Sequence, residues 1–179
     1  MSERPKVDAR TKRMATNVLQ KMYRDYQKEP SLYFSCGLVD NNVFHWRVTI
    51  IGQSGTRFSD CILPAELIFP EDFPMRPPMM KFLCPMFHPN IGEDGKVCIS
   101  ILHEQKDDPT NEQEQLNEKW LPVHTIETIV ISVICMLGDP NPQSPLNVKA
   151  NRVFIQNKDE FWKTFRDYCN RGREYAGVH

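Results

Sequence analysis

Phe87-His88-Pro89-Asn90-Ile91-Gly92-Glu93-Asp94-Gly95-Lys96-Val97-Cys98-Ile99 is the stretch on which this chain turns. It carries neither helical nor strand periodicity. A proline-locked tripeptide, His88-Pro89-Asn90, leads through the turn signal Asp94-Gly95 to a cysteine in the short apolar run Val97-Cys98-Ile99. The aperiodic region continues to residue 124, and irregular segments of that length inside a domain are often functional. Cys98 is the candidate nucleophile, because it follows a turn, precedes the short apolar run Ile99–Leu102 and lies eight residues after Asn90. His88 and His103 are within sequence reach as bases. Neither protease signature surrounds the cysteine. A zinc set of Cys84, His88, Cys98 and His103 has spacings that match no standard pattern.

The elements on either side are regular. Upstream, Met14, Val18, Leu19, Met22, Tyr23 and Tyr26 predict a helix from about Ala9 with one buried stripe, ended by Pro30. An antiparallel meander follows: Tyr33–Val39, a turn at Asp40-Asn41-Asn42, Phe44–Ile50 in alternation, then Ile62–Phe69 and Met79–Leu83. Phe73-Pro74-Met75-Arg76-Pro77-Pro78 is too proline-rich for either element. Downstream, Ile126, Ile129, Val130, Val133, Ile134 and Leu137 fall at helical spacing between a Thr125 cap and a Gly138 stop, and predict the central core helix. Two more helices centre on Val153-Phe154 and on Phe161, Trp162, Phe165 and Tyr168, the last capped by Asn157. Helix, strands, helices is an α+β layout.

The 179 residues are 40% hydrophobic and 25% charged with a net charge of −1, a globular profile with no global field to select nucleic acid or a membrane surface. No apolar run is long enough for direct membrane insertion, and no secretory h-region opens the chain, so a cytosolic or nuclear location is expected. Charge is uneven locally. The first 28 residues hold eight basic side chains against three acidic, and 104–118 hold six acidic against Lys106 alone. Cys36, Cys61, Cys84, Cys135 and Cys169 read as small buried hydrophobes rather than a disulfide framework.

Together these landmarks resemble ubiquitin-conjugating enzymes, the E2 family. The resemblance lies in His88-Pro89-Asn90, seven residues, then Cys98; in Phe73-Pro74-x-x-Pro77-Pro78 upstream; in Trp120-x-Pro122 downstream; and in Gly95-Lys96-Val97-Cys98-Ile99. It runs from about Thr11 to about Gly172. The 21 residues between Cys98 and Trp120, with Cys98-Ile-Ser-Ile-Leu-His103, resemble the G-type, or Ubc7-like, members. The chain departs from the family where Phe58, Asp60-Cys61 and Leu63 stand for an aromatic, two glycines and Phe, and where Phe73 replaces Tyr.

The resemblance implies the UBC fold: an N-terminal helix, a four-stranded antiparallel meander, a central helix and C-terminal helices. Its bounds would be a short basic extension at 1–10, a core at 11–172 containing an acidic loop at 104–118, and a tail at 173–179. It implies that Cys98 receives ubiquitin as a thioester from an activating enzyme that consumes ATP, with no tightly bound cofactor and no metal. Asn90 would assist at the oxyanion, with His88, Pro89, His103, Asp107, Asp108 and Asn141 supporting the site. Lys12, Arg13, Met75, Pro122 and Val123 would meet the activating enzyme and a RING-type ligase. The Phe73–Pro74 bond is expected to be cis. The subfamily implies ubiquitin-chain building for degradation, often at the cytosolic face of the endoplasmic reticulum through a recruitment partner. Conjugation of another ubiquitin-like modifier, a non-catalytic E2-like adaptor and a thiol hydrolase are the competing classes.

Overall fold

Asp8 opens the first helix. In the computed structural model, which describes residues 7–104 and 119–176, its carboxylate accepts hydrogen bonds from Thr11 N at 2.9 Å and Thr11 Oγ1 at 2.8 Å. These cap α1 (Ala9–Lys28). Four strands follow: β1 (Phe34–Val39), β2 (Asn42–Ile51), β3 (Ile62–Ile68) and β4 (Met79–Phe82). They pair in sequence order as one antiparallel sheet, the expected meander.

The β1–β2 hairpin is built by its turn. Asp40 and Asn41 take φ of 50° and 55°, two successive left-handed residues, and Val39 pairs with Asn42 across them. That is the two-residue turn whose twist matches the strands. Alternation then assigns the faces: Trp46, Val48 and Ile50 of β2 are buried, whereas Arg47 and Ile51 are exposed. Asp60, at the first of the two family glycine positions, keeps a positive φ of 63° without being glycine.

The inner face of the sheet joins one core with α2 (Ile126–Gly138), whose Ile129, Val130, Val133 and Leu137 are fully buried. Each such side chain contributes roughly 1.5–3 kcal/mol by leaving water. Thr125 and Thr128 cap this helix reciprocally, and Glu127 lies in its first turn. Asn147 caps α3 (Val148–Gln156), and Asn157 caps α4 (Lys158–Asn170) through Glu160 N at 3.1 Å. Phe161 and Phe165 of α4 carry a stack of aromatics into the core beside His88.

Three differences from the sequence reading have plain causes. The buried side of α1 is Ala15 and Leu19, with Met22, Tyr23 and Tyr26 packed on the core; Met14 and Val18 lie outside, since the helix sinks only a narrow face. Cys135 is exposed and Cys36 half-buried, not buried hydrophobes, because Cys135 lies on the outer side of α2. A short helix, α5 (Gly172–Tyr175), extends into the segment expected as a tail. It docks where Arg173 Nη2 donates to Asp60 O at 3.0 Å, and a Cβ on Gly172 would lie 2.2 Å from Ile62 O. The Phe73–Pro74 bond is cis, as expected. Among the described residues, no helix is long and apolar enough to cross a membrane.

Candidate active site

The arm that carries Cys98 hangs on the free edge of β4. Phe82 N donates to Gly95 O at 2.8 Å and Val97 N to Met80 O at 2.9 Å, so residues 95–97 act as an added strand piece. Gly95 makes the turn at φ 87°. Next, Cys98 N donates to Asn90 O at 2.9 Å, and the chain leaves in a 3-10 turn, Ser100–Leu102. The Cys98 thiol is partly exposed. It lies in a groove of about 370 Å³ whose walls include Pro77, Pro78, Lys96, His103, Glu104 and Leu146.

His103 Nε2 lies 3.2 Å from Cys98 Sγ. The backbone explains how the two stay together: Trp120 N donates to His103 O at 3.0 Å, closing a neck at the base of the acidic insertion. The insertion therefore leaves and re-enters the fold at the cysteine. Asp107 and Asp108 lie outside the described residues.

Asn90 is 2% exposed and its amide is fully engaged. Nδ2 donates to Asn141 O at 2.8 Å and to Ser144 O at 3.2 Å, while Oδ1 accepts from Asn141 N at 2.8 Å. Pro89 O accepts from Leu146 N at 2.8 Å and Asn147 N at 2.9 Å. The His-Pro-Asn segment is thus stitched to the 139–147 loop. Asn141 contributes through its backbone; its own Oδ1 accepts from Gln143 N at 2.9 Å.

His88 is completely buried. Its Nδ1 accepts from Asn90 N at 3.0 Å, so the neutral ring carries its proton on Nε2, which donates to Met136 O at 3.0 Å. Burial pushes its pKa down to about 4, against the opposing pull of the Met136 carbonyl. A neutral, doubly bonded imidazole holds the loop onto the end of α2 and has no free nitrogen for proton transfer.

The other thiols differ from Cys98. Burial pushes Cys36 up to about 12 and Cys84 up to about 11, so neither is a thiolate near neutral pH. The neighbouring Cys169 thiol draws the Cys61 thiol down, but Cys61 is 1% exposed and offers no path to an acyl group. Cys135 is exposed on α2. Cys98 alone among the described thiols combines a groove with an adjacent imidazole.

None of the five residues expected at partner surfaces lines the Cys98 groove. Lys12 pairs with Glu71 at 2.5 Å, tying α1 to the proline-rich loop. Trp120, buried against Phe73, donates from Nε1 to Pro74 O at 2.8 Å and ties that loop to Pro122-Val123. Met75 is 71% and Val123 79% exposed on these joined loops, with Arg13 exposed on the helix. Pro122 and Val123 also line a cleft of about 360 Å³ against Val18 and Met22 of α1.

The family model described as ubiquitin-conjugating enzyme matches residues 18–169. The chain belongs to the ubiquitin-conjugating enzyme family. It is 45% identical over 161 residues to ubiquitin-conjugating enzyme E2 14 of Arabidopsis thaliana, spanning 89% of this chain and 96% of that protein. Over 158 residues it is 46% identical to E2 15 of Schizosaccharomyces pombe, 88% of this chain and 94% of the relative. It is 41% identical over 155 residues to human E2 G2, 84% and 93% respectively. This E2 is of the G, or Ubc7-like, type, and as a family member it works with ubiquitin, an activating enzyme and a ligase.

Sequence reasoning missed the carbonyls of Met136, Asn141 and Ser144, and the side chain of Leu146. Backbone acceptors carry no residue signature, and Leu146 reads as one more apolar residue in a proline-rich loop.

Proposed function

We propose that Cys98 carries ubiquitin as a thioester and passes it to lysine amines, extending chains that mark proteins for degradation. The observation that carries this is the partly exposed Cys98 thiol in its groove, 3.2 Å from His103 Nε2. The Cys98 thiolate attacks the carbonyl carbon of the thioester on the activating enzyme, whose thiol leaves. A lysine amine then attacks the same carbon, Cys98 leaves as thiolate, and the amine gives up a proton as the isopeptide forms. The activating enzyme consumes the ATP. Asn90 and Pro89 hold the 139–147 loop beside the sulfur, and His88 seats that assembly on α2. The longer Asn90 bond, to Ser144 O at 3.2 Å, is the one whose release would turn a donor toward the oxyanion. Asp107 and Asp108 draw in the acceptor ammonium, which becomes the attacking amine only after losing its proton.

The G-type resemblance extends the proposal to RING-type ligases docking on Met75, Pro122 and Val123, and to work in the cytosol at the endoplasmic reticulum face through a recruitment partner. Lys12 and Arg13 meet the activating enzyme. The test is incubation with activating enzyme, ATP and ubiquitin. A reductant-sensitive adduct is expected, converted to a reductant-resistant ester or lost in Cys98→Ser. A Cys98→Ala variant that still charges overturns the proposal, and parallel reactions with other ubiquitin-like modifiers decide the modifier.

A further inference from the structure

Leu146 is the wall between two hollows. On one side it lines the Cys98 groove. On the other it lines a second hollow of about 410 Å³, with Glu93, Asn147, Val148, Lys149 and Arg152. Leu146 is rigidly mounted: its N–H donates to Pro89 O at 2.8 Å, and Gly92, where a Cβ would come within 3.2 Å of Leu146 Cδ2, lets it lie on the 92–95 turn. Yet the side chain is 44% exposed, and Val148 beside it is 64% exposed. Two apolar side chains therefore face solvent, and one of them, Leu146, does so at the wall of the Cys98 groove.

The charge around them is one-sided. Lys149 and Arg152 are exposed near the start of α3, and among the described residues neither has an ion pair. Glu93 is the one acid among the lining residues. The Cys98 groove is balanced by comparison, since Lys96 and Glu104 both line it.

We propose that this second hollow docks the acceptor protein, through a segment that carries an apolar side chain and carboxylates near the target lysine. The inference rests on the reading of Cys98 as the thioester site and names the acceptor that site prefers. The apolar side chain covers Leu146 and Val148. The carboxylates meet Lys149 and Arg152. Continuity through Leu146 then leads the neighbouring lysine into the groove, where holding the amine at the carbonyl replaces a bimolecular search. The cationic pair on the second hollow sets the direction in which the acceptor lies.

The experiment uses the full chain, charged at Cys98 and quenched, then discharged onto three acceptors: free lysine, a lysine peptide flanked by leucine and two glutamates, and the same peptide with the glutamates replaced by lysine-blocked, permanently cationic residues. The parent should prefer the acidic peptide. Lys149→Glu with Arg152→Glu should leave charging and free-lysine discharge unchanged. It should slow the acidic peptide by about five- to tenfold and speed the cationic one, reversing the preference. Val148→Ala, which lines only the second hollow, should slow both peptides and spare free lysine. A double variant that treats the peptides as the parent does overturns the docking site while leaving the thioester reading intact. Loss on free lysine as well overturns it too, by making these residues part of the transfer step itself. Failure of Cys98 to charge in the parent overturns both readings.

Discussion

His103 Nε2 lies 3.2 Å from the Sγ of Cys98, and the same residue's carbonyl holds Trp120 N at 3.0 Å. One side chain therefore touches the nucleophile while its backbone closes the neck of the acidic insertion. A change in the insertion can be felt at the sulfur through this residue.

His103→Ala should charge within about twofold of the parent but discharge to lysine roughly tenfold more slowly at pH 7. General bases typically contribute more than this, but an oriented amine needs less help. Because free lysine has a pKa of about 10.4, its neutral fraction rises with pH, so the deficit should narrow toward pH 9.5. Single-turnover discharge across that range gives the answer. A deficit of constant size would assign His103 to positioning alone.

Asn90→Ala removes three hydrogen bonds to the 139–147 loop. At about 0.5–1.5 kcal/mol each, a loss of roughly 1.5–4.5 kcal/mol is expected. Amide exchange at Asn141, Leu146 and Asn147 should accelerate, since the first bonds Asn90 directly and the other two bond Pro89. Slow discharge with unchanged exchange would instead mark a direct oxyanion role.

His88 links stability to pH. Its native pKa is pushed down to about 4, below the ordinary value near 6.5. Between those values the unfolded chain binds a proton that the native chain refuses, so stability rises with pH across the window. About 3 kcal/mol, full above pH 6.5, should be lost as pH falls to 4. Urea midpoints of the parent and His88→Gln should converge over this range, and the His88 ring resonances should stay neutral at pH 5. A ring that titrates near 6.5 would contradict the buried tautomer.

Gly95→Ala tests the arm that presents Cys98. A Cβ there would lie 2.2 Å from Phe82 O on a backbone at φ 87°. The substitution should cost at least about 2 kcal/mol and lower charging with it. Gly37→Ala, with no atom within 4 Å of the added carbon, should stay within about 1 kcal/mol. Equal effects at the two glycines would show that the turn at Gly95 tolerates rearrangement.

Much of this molecule was legible before folding. Alternation in Phe44–Ile50, the helical spacing of Ile126–Leu137 and the caps at Thr125 and Asn157 are local properties, because period and capping depend on neighbours in the chain. His88-Pro89-Asn90 and Cys98, in order with Trp120-x-Pro122, marked the family for the same reason: the residues themselves carry the signal. What those residues touch was decided elsewhere. Asn90 faces the carbonyls of Asn141 and Ser144, some fifty positions away, and His88 faces that of Met136. Any residue supplies such a carbonyl, so nothing in the sequence distinguishes the ones used. The exposure of Cys135, the meeting of Cys98 with His103 across a 3-10 turn, and the placing of Leu146 between two hollows likewise depend on how distant segments pack. Only the closed tertiary structure brings them within a few ångströms, where hydrogen bonds and burial act.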